Sequence, residues 1–184
     1  AAEVATATTD RVVALMHTAG RLAVATDPPP SDTGTIGRVS LGSGGVPKPS
    51  VGRAVVGPGG LVGDAHTDRD NHGRPWQALC LWSAEVIDAL AGEGHPIAPG
   101  TCGENLTLTG LDWPEVRPGV RVHLGTDVVA EISGEASPCR TIAGSFLDRR
   151  FDRVDHDRHP GWARVYAWVV TGGEVSEGDT VTLG

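Results

Sequence analysis

Apolar residues in this chain gather in short runs. Ile36 to Leu41, Arg53 to Val56, Ala78 to Trp82, Val120 to Leu124, Val128 to Ser133, Arg164 to Val170 and Thr180 to Leu183 are each bounded by Gly, Pro, Asp or Ser. That punctuation predicts β-strands. One segment carries the helical period instead. Ser83 is placed as an N-cap, Glu85 falls in the first turn, Val86, Ile87 and Leu90 share a face, and Gly92 and Gly94 end it. Upstream, Thr9 and Asp10 precede Val12, Val13, Leu15, Met16 and Leu22, a pattern for a short amphipathic helix docked on the body or on a partner subunit. The run Asp27-Pro28-Pro29-Pro30-Ser31-Asp32 then acts as a stiff spacer. Residues 1–33 therefore read as an extension and 34–184 as the domain.

A repeat links two of the strands. Glu115-Val116-x-x-Gly119-x-x-Val122-x-Leu124-Gly125 returns 59 residues later as Glu174-Val175-x-x-Gly178-x-x-Val181-x-Leu183-Gly184. Each copy is a glycine turn entering a strand whose alternate residues face one side. Two copies are too few for a solenoid but suit two equivalent strands of a closed or partly closed barrel. The expected fold class is mainly β with a few helices.

Composition narrows the function classes. The chain's 184 residues suit a single domain with its own core. Twenty-six glycines and thirteen prolines make about a fifth of the residues against a usual ~12%, which fits many tight turns. The formal net charge is −8, so phosphate-backbone binding has no driving term and a nucleic-acid role is excluded. No apolar window is long enough for a membrane-spanning helix. Three cysteines, Cys80, Cys102 and Cys139, cannot build a disulfide framework or a four-thiolate cluster. The first residues lack a basic-then-apolar leader pattern, and reduced thiols in a cytoplasm are expected.

Chemistry concentrates at Ser137-Pro138-Cys139-Arg140. Pro138 forces a turn after the preceding strand, and Thr141 to Leu147 is expected to begin a helix. Cys139 would then lie near helix N-terminal amides with the Arg140 guanidinium beside it, and both lower a thiol pKa. A thiolate is what a soft metal, a persulfide or a nucleophilic step requires; an inert buried thiol is the plain alternative. Cys80 sits in the continuous apolar run Ala78-Leu79-Cys80-Leu81-Trp82 and reads as core. Cys102, in Pro99-Gly100-Thr101-Cys102-Gly103, reads as a loop residue, with a second site thiol as the alternative. The turn Gly57 to Asp64, followed by His66, Arg69, His72 and Arg74, is either a solvated loop or a set of backbone amides and guanidinium groups facing an anion. Asp155-His156-Asp157-Arg158-His159 has metal-ligand spacing, but Arg149, Arg150, Arg153 and Arg158 favour salt bridging there.

These residues carry a resemblance. Gly60-Leu61-Val62-Gly63-Asp64, His72-Gly73, Gly103-Glu104-Asn105-Leu106, Pro138-Cys139, His159-Pro160-Gly161-Trp162 and Gly178-Asp179 stand in the order found in MOSC domains, the C-terminal module of molybdenum cofactor sulfurases. The chain from about Thr35 resembles the short stand-alone bacterial members. The resemblance implies a β-barrel and one signature cysteine, here Cys139, that carries sulfur or ligates the molybdenum of the molybdopterin cofactor. It also implies that Gly63, Asp64, His72, Arg74, Gly103, Glu104, Asn105 and Arg140 line the cofactor or substrate pocket. No pyridoxal phosphate, haem or iron–sulfur cluster is expected; Lys48 is the only lysine, and none precedes it to form a Schiff base.

Three readings follow. In the first, Cys139 holds a sulfane sulfur or ligates molybdenum, with electrons or sulfur delivered by a separate reductase or donor. In the second, a metal-free enzyme makes or breaks a C–S bond in a small thio-compound, with His72 or His159 as general acid or base. In the third, the chain is a non-catalytic cofactor carrier.

Overall fold

The computed structural model describes residues 33–65 and 73–184. The expected helix around Val12 to Leu22, the proline spacer, His66, Arg69 and His72 lie outside them. Among the described residues ten strands form: β1 Thr33–Val39, β2 Arg53–Gly57, β3 Gly60–Leu61, β4 Leu79–Ser83, β5 Leu106–Thr109, β6 Arg121–Leu124, β7 Val128–Glu135, β8 Val165–Thr171, β9 Gly173–Ser176 and β10 Thr180–Leu183. Seven of them close a barrel in the order β1-β10-β6-β7-β8-β4-β5, and β3-β2-β9 make a small second sheet. Within the barrel only β4 and β5 run parallel. Their crossover contains α1, Ala84–Gly92, where the Ser83 hydroxyl accepts from the Val86 amide at 3.2 Å as an N-cap.

The barrel interior can be traced through its registers, because directly opposed residues share a face. Leu79 opposes Ala167, which opposes Ile132; Val122 opposes both Ala130 and Leu183; Ile36 opposes Leu108. All are at most 4% exposed, and each buried aliphatic side chain contributes about 1.5–3 kcal/mol. The two halves of the sequence repeat are neighbours in this wall. Val181 pairs with Leu124 and Leu183 with Val122, and each strand is entered through a glycine at positive φ, 89° at Gly119 and 92° at Gly178.

β4 is buried on both faces. Leu79 and Leu81 point into the barrel, so Cys80 and Trp82 point outward by strand alternation. Trp82 Nε1 donates to the Trp162 carbonyl at 3.1 Å and Trp113 Nε1 to the Ala163 carbonyl at 3.0 Å. These bonds strap the 159–163 segment over the outer wall. The helix expected from Thr141 to Leu147 is instead a single 3₁₀ segment, Arg140–Ser145. Gly144 and the extended Phe146 keep it from lengthening into an α-helix.

Candidate functional site

Four stretches remote in sequence meet on the outer face of β4. Cys80 opposes Tyr166 of β8 across the ladder. The Cys80 amide donates to Asn105 Oδ1 at 3.0 Å, and the Asn105 amide donates back to the Cys80 carbonyl at 2.7 Å. This reciprocal pair docks the 99–105 loop against β4. The loop itself is folded by turns, with Thr101 N donating to the Ala98 carbonyl at 3.0 Å and Gly100 and Gly103 at positive φ. At Gly100 a side chain is impossible, because its Cβ would fall 2.5 Å from the Lys48 carbonyl oxygen.

Cys139 arrives from β7. A register shift between Ile132 and Gly134 marks a bulge that leaves Ser133 as the extra residue and re-aims the strand end. Gly134 then opposes Tyr166, and the Ala136 amide donates to the Arg164 carbonyl at 2.7 Å. Cys139 follows three residues later, extended and partly exposed.

The result is a cavity of ≈ 110 Å³ whose wall includes all three cysteines, Asn105, Gly103, Lys48, Gln77, Thr141, Arg164 and Tyr166. It lies on the outer wall of the barrel rather than at its mouth. Cys139 is the accessible thiol; Cys80 and Cys102 are 6% and 1% exposed. Burial pushes the Cys80 thiol up, against the opposing pull of the adjacent Arg164 guanidinium. Burial likewise pushes Cys102 up to about 11 and the Tyr166 phenol up to about 12. At neutral pH all three are protonated. The cysteines line one cavity without converging, since no group of three His, Cys, Asp or Glu side chains among the described residues could hold a metal ion.

One guanidinium governs the inner end. Arg164 is 6% exposed. Its Nη1 donates to the Cys102 carbonyl, while its Nε is buried without a hydrogen-bond partner. Glu104, fully buried behind the loop, uses Oε1 to accept from the Gly100 amide and from Thr107 Oγ1, and its Oε2 also has no partner. The outer end is held by a buried ion pair, Lys48 Nζ to Asp64 Oδ2 at 2.6 Å. Burial alone would raise the Asp64 carboxyl. Hydrogen bonds from Lys48, the Gly42 amide and Asn105 outweigh it and hold the group below its usual range.

The sequence-predicted residues divide accordingly. Cys139, Gly103 and Asn105 line the cavity, while Asp64 and Glu104 brace it from behind. Gly63 supplies only a turn, at φ 92°. Arg140 and His159 are exposed and absent from the cavity wall, so the guanidinium and the histidine expected at those two positions are not there; His72, the other expected proton carrier, lies outside the described residues. Arg140 departs because the chain turns there from the extended Cys139 into the 3₁₀ segment. His159 is drawn away because its backbone belongs to the turn strapped by Trp82 and Trp113. Arg74 is exposed and stacks over Trp76 at 5.5 Å. The Asp155–His159 tract is ion-paired, with Arg158 on Asp152 at 2.8 Å and His156 3.7 Å from Glu135. Sequence reading missed Arg164, Tyr166, Gln77 and Lys48. Cys80 was taken as core, and its burial agrees, but its outward direction places it on the cavity.

Known proteins place this arrangement. The family model for the MOSC domain matches residues 68–182. The uncharacterized protein YflK of Bacillus subtilis (strain 168) is 30% identical over 122 residues, covering 66% of this chain and 54% of YflK. The chain thus spans about half the length of that relative. Among solved structures, YuaD from Bacillus subtilis aligns with TM-score 0.62 at 16% identity, over 84% of this chain and 97% of YuaD. YiiM from Geobacillus stearothermophilus aligns with TM-score 0.63 at 21% identity, over 82% of this chain and 75% of YiiM. At those identities the two structures bear on the fold alone.

Proposed function

The chain belongs to the MOSC domain family, and from that premise we propose that it handles sulfur through Cys139. The family ties the chain to molybdenum-cofactor binding or sulfur chemistry. The observation that carries the finer reading is the cavity itself: it offers one accessible thiol among three, with a buried guanidinium on the same wall. The cavity, of ≈ 110 Å³, is partly open to solvent. A sulfane sulfur is of suitable size.

The chemistry needs no external redox partner. The Cys139 thiolate attacks the terminal sulfur of a hydropersulfide, R–S–S–H. The Sγ–S bond forms as the donor S–S bond breaks, and the electron pair leaves on R–S⁻, which takes up the proton Cys139 released. Cys139 is left as a persulfide for delivery to an acceptor.

The family match favours a second reading, in which the same thiol is a metal ligand. The donor set fits the metal end of the molybdenum cofactor: Cys139 would be the protein ligand, and Arg164 Nε would face an oxygen-bearing group. When bound, the cofactor supplies two-electron redox chemistry, with electrons drawn from a separate reductase. This chain's own residues would contribute the sulfur ligand and the fixed positive charge.

The test is loading of wild type, Cys139→Ser, Cys80→Ser and His159→Ala with an uncharged alkyl hydropersulfide, read by mass spectrometry, with molybdenum analysis after exposure to the cofactor. The proposal expects one added sulfur on wild type, Cys80→Ser and His159→Ala, and none on folded Cys139→Ser. Molybdenum retained only when Cys139 is present would support the second reading. Loading that survives Cys139→Ser refutes the assignment.

A further inference from the structure

We propose that the sulfur donor for Cys139 is a small anionic sulfane compound of the thiosulfate class, whose sulfonate end is held by Arg164. This deepens the sulfur-carrier reading and rests on it. A buried guanidinium that leaves a donor unpaired is costly unless something else satisfies it. Arg164 is in that position: it is 6% exposed, its Nη1 is bound to the Cys102 carbonyl, and its Nε has no partner while the residue lines the cavity. Glu104 lies near enough to interact with that charge, but its Oε2 is itself unpartnered, so the two are not bridged. Among the described residues the other cation on the wall, Lys48, is already paired with Asp64 at 2.6 Å. The cavity wall therefore carries a permanent cation with one buried N–H that no protein acceptor takes up, on the same wall as an accessible thiol.

Those are the requirements of a donor whose leaving group is a compact oxyanion. The Cys139 thiolate attacks the outer sulfur of S–SO₃²⁻. The Sγ–S bond forms, the S–S bond to the sulfonate breaks, and the electron pair departs on sulfite, leaving Cys139 as a persulfide. Charge gathers on the sulfonate oxygens as the bond breaks, and a fixed guanidinium stabilises it there without reorganisation.

The experiment compares two donors on the whole chain. Wild-type protein is incubated with thiosulfate or with an uncharged alkyl hydropersulfide; persulfide on the Cys139 peptide and free sulfite are measured, with inorganic sulfate as competitor. The inference expects thiosulfate loading with one sulfite released per persulfide, inhibited by sulfate, while alkyl hydropersulfide loading is insensitive to sulfate. Arg164→Gln should slow thiosulfate loading about 30-fold more than it slows loading from the uncharged donor, the loss expected for one hydrogen bond to a charged group. Arg164→Lys, keeping charge without the fork, should fall between. The sulfate arm needs no variant, so it decides even if Arg164→Gln fails to fold. Loading from the alkyl hydropersulfide alone, or thiosulfate loading indifferent to sulfate, overturns the inference and spares the carrier reading. Loading from neither donor overturns both.

Discussion

Removing the charge of Asp64 should unmask how much of the site depends on one buried ion pair. Lys48 and Asp64 meet at 2.6 Å with side chains 6% and 4% exposed. Asp64 also accepts from the Gly42 amide at 3.0 Å and from Asn105 Nδ2 at 2.8 Å. Asp64→Asn keeps the shape but leaves the Lys48 ammonium buried without an opposite charge, which costs about 3–5 kcal/mol. For a domain of this size that is a fall in Tm of roughly 10 °C. The carboxyl of Asp64 is held below its usual range, so its contribution is fully present above the unfolded pKa of about 3.9. It is lost as pH falls through the lower folded value. Thermal melts of wild type and Asp64→Asn at stepwise pH should therefore run parallel from pH 8 to 5, with the gap narrowing only below about pH 4. Lys48→Met combined with Asp64→Leu should recover most of the loss, because no charge is then left buried alone. A cost below about 0.5 kcal/mol, as exposed pairs give, or a gap that does not narrow as pH falls below about 4, would refute the reasoning.

Two further outcomes can be checked. In native protein near pH 8, iodoacetamide should label Cys139 first and leave Cys102 unmodified until the chain unfolds, since burial raises that thiol to about 11; peptide mapping of a time course decides it. Gly60→Ala should destabilise by at least ~3 kcal/mol in urea titration, because the new Cβ would sit 1.9 Å from the Ala78 carbonyl oxygen at φ 104°.

Much of the barrel was legible because its signals are local. Short runs bounded by turn residues located seven of the ten strands to within a few residues, and the repeat around Val122 and Val181 marked two strands that turn out to pair. β3 was not legible, since a two-residue strand is defined by its pairing with Val56 and Gly57. β5 was hidden in the motif Gly103-Glu104-Asn105-Leu106, and β9 in the turn that opens the second repeat. The site was legible at Cys139 and Asn105 but not at its cation. Arg140 is next to Cys139 in sequence and exposed; Arg164 is held at the cavity by a carbonyl 62 residues away, which leaves no local trace. Cys80 shows the same limit. A continuous apolar run indicates burial on both faces but not which face borders a cavity.

The account depends most on the Cys139 thiol being the atom that takes up sulfur. The direct measurement is peptide-resolved mass spectrometry of the intact chain after brief exposure to an uncharged alkyl hydropersulfide. A gain of one sulfur confined to the Cys139 peptide is the predicted result. A gain on the Cys80 or Cys102 peptide instead, with Cys139 unmodified, would contradict it.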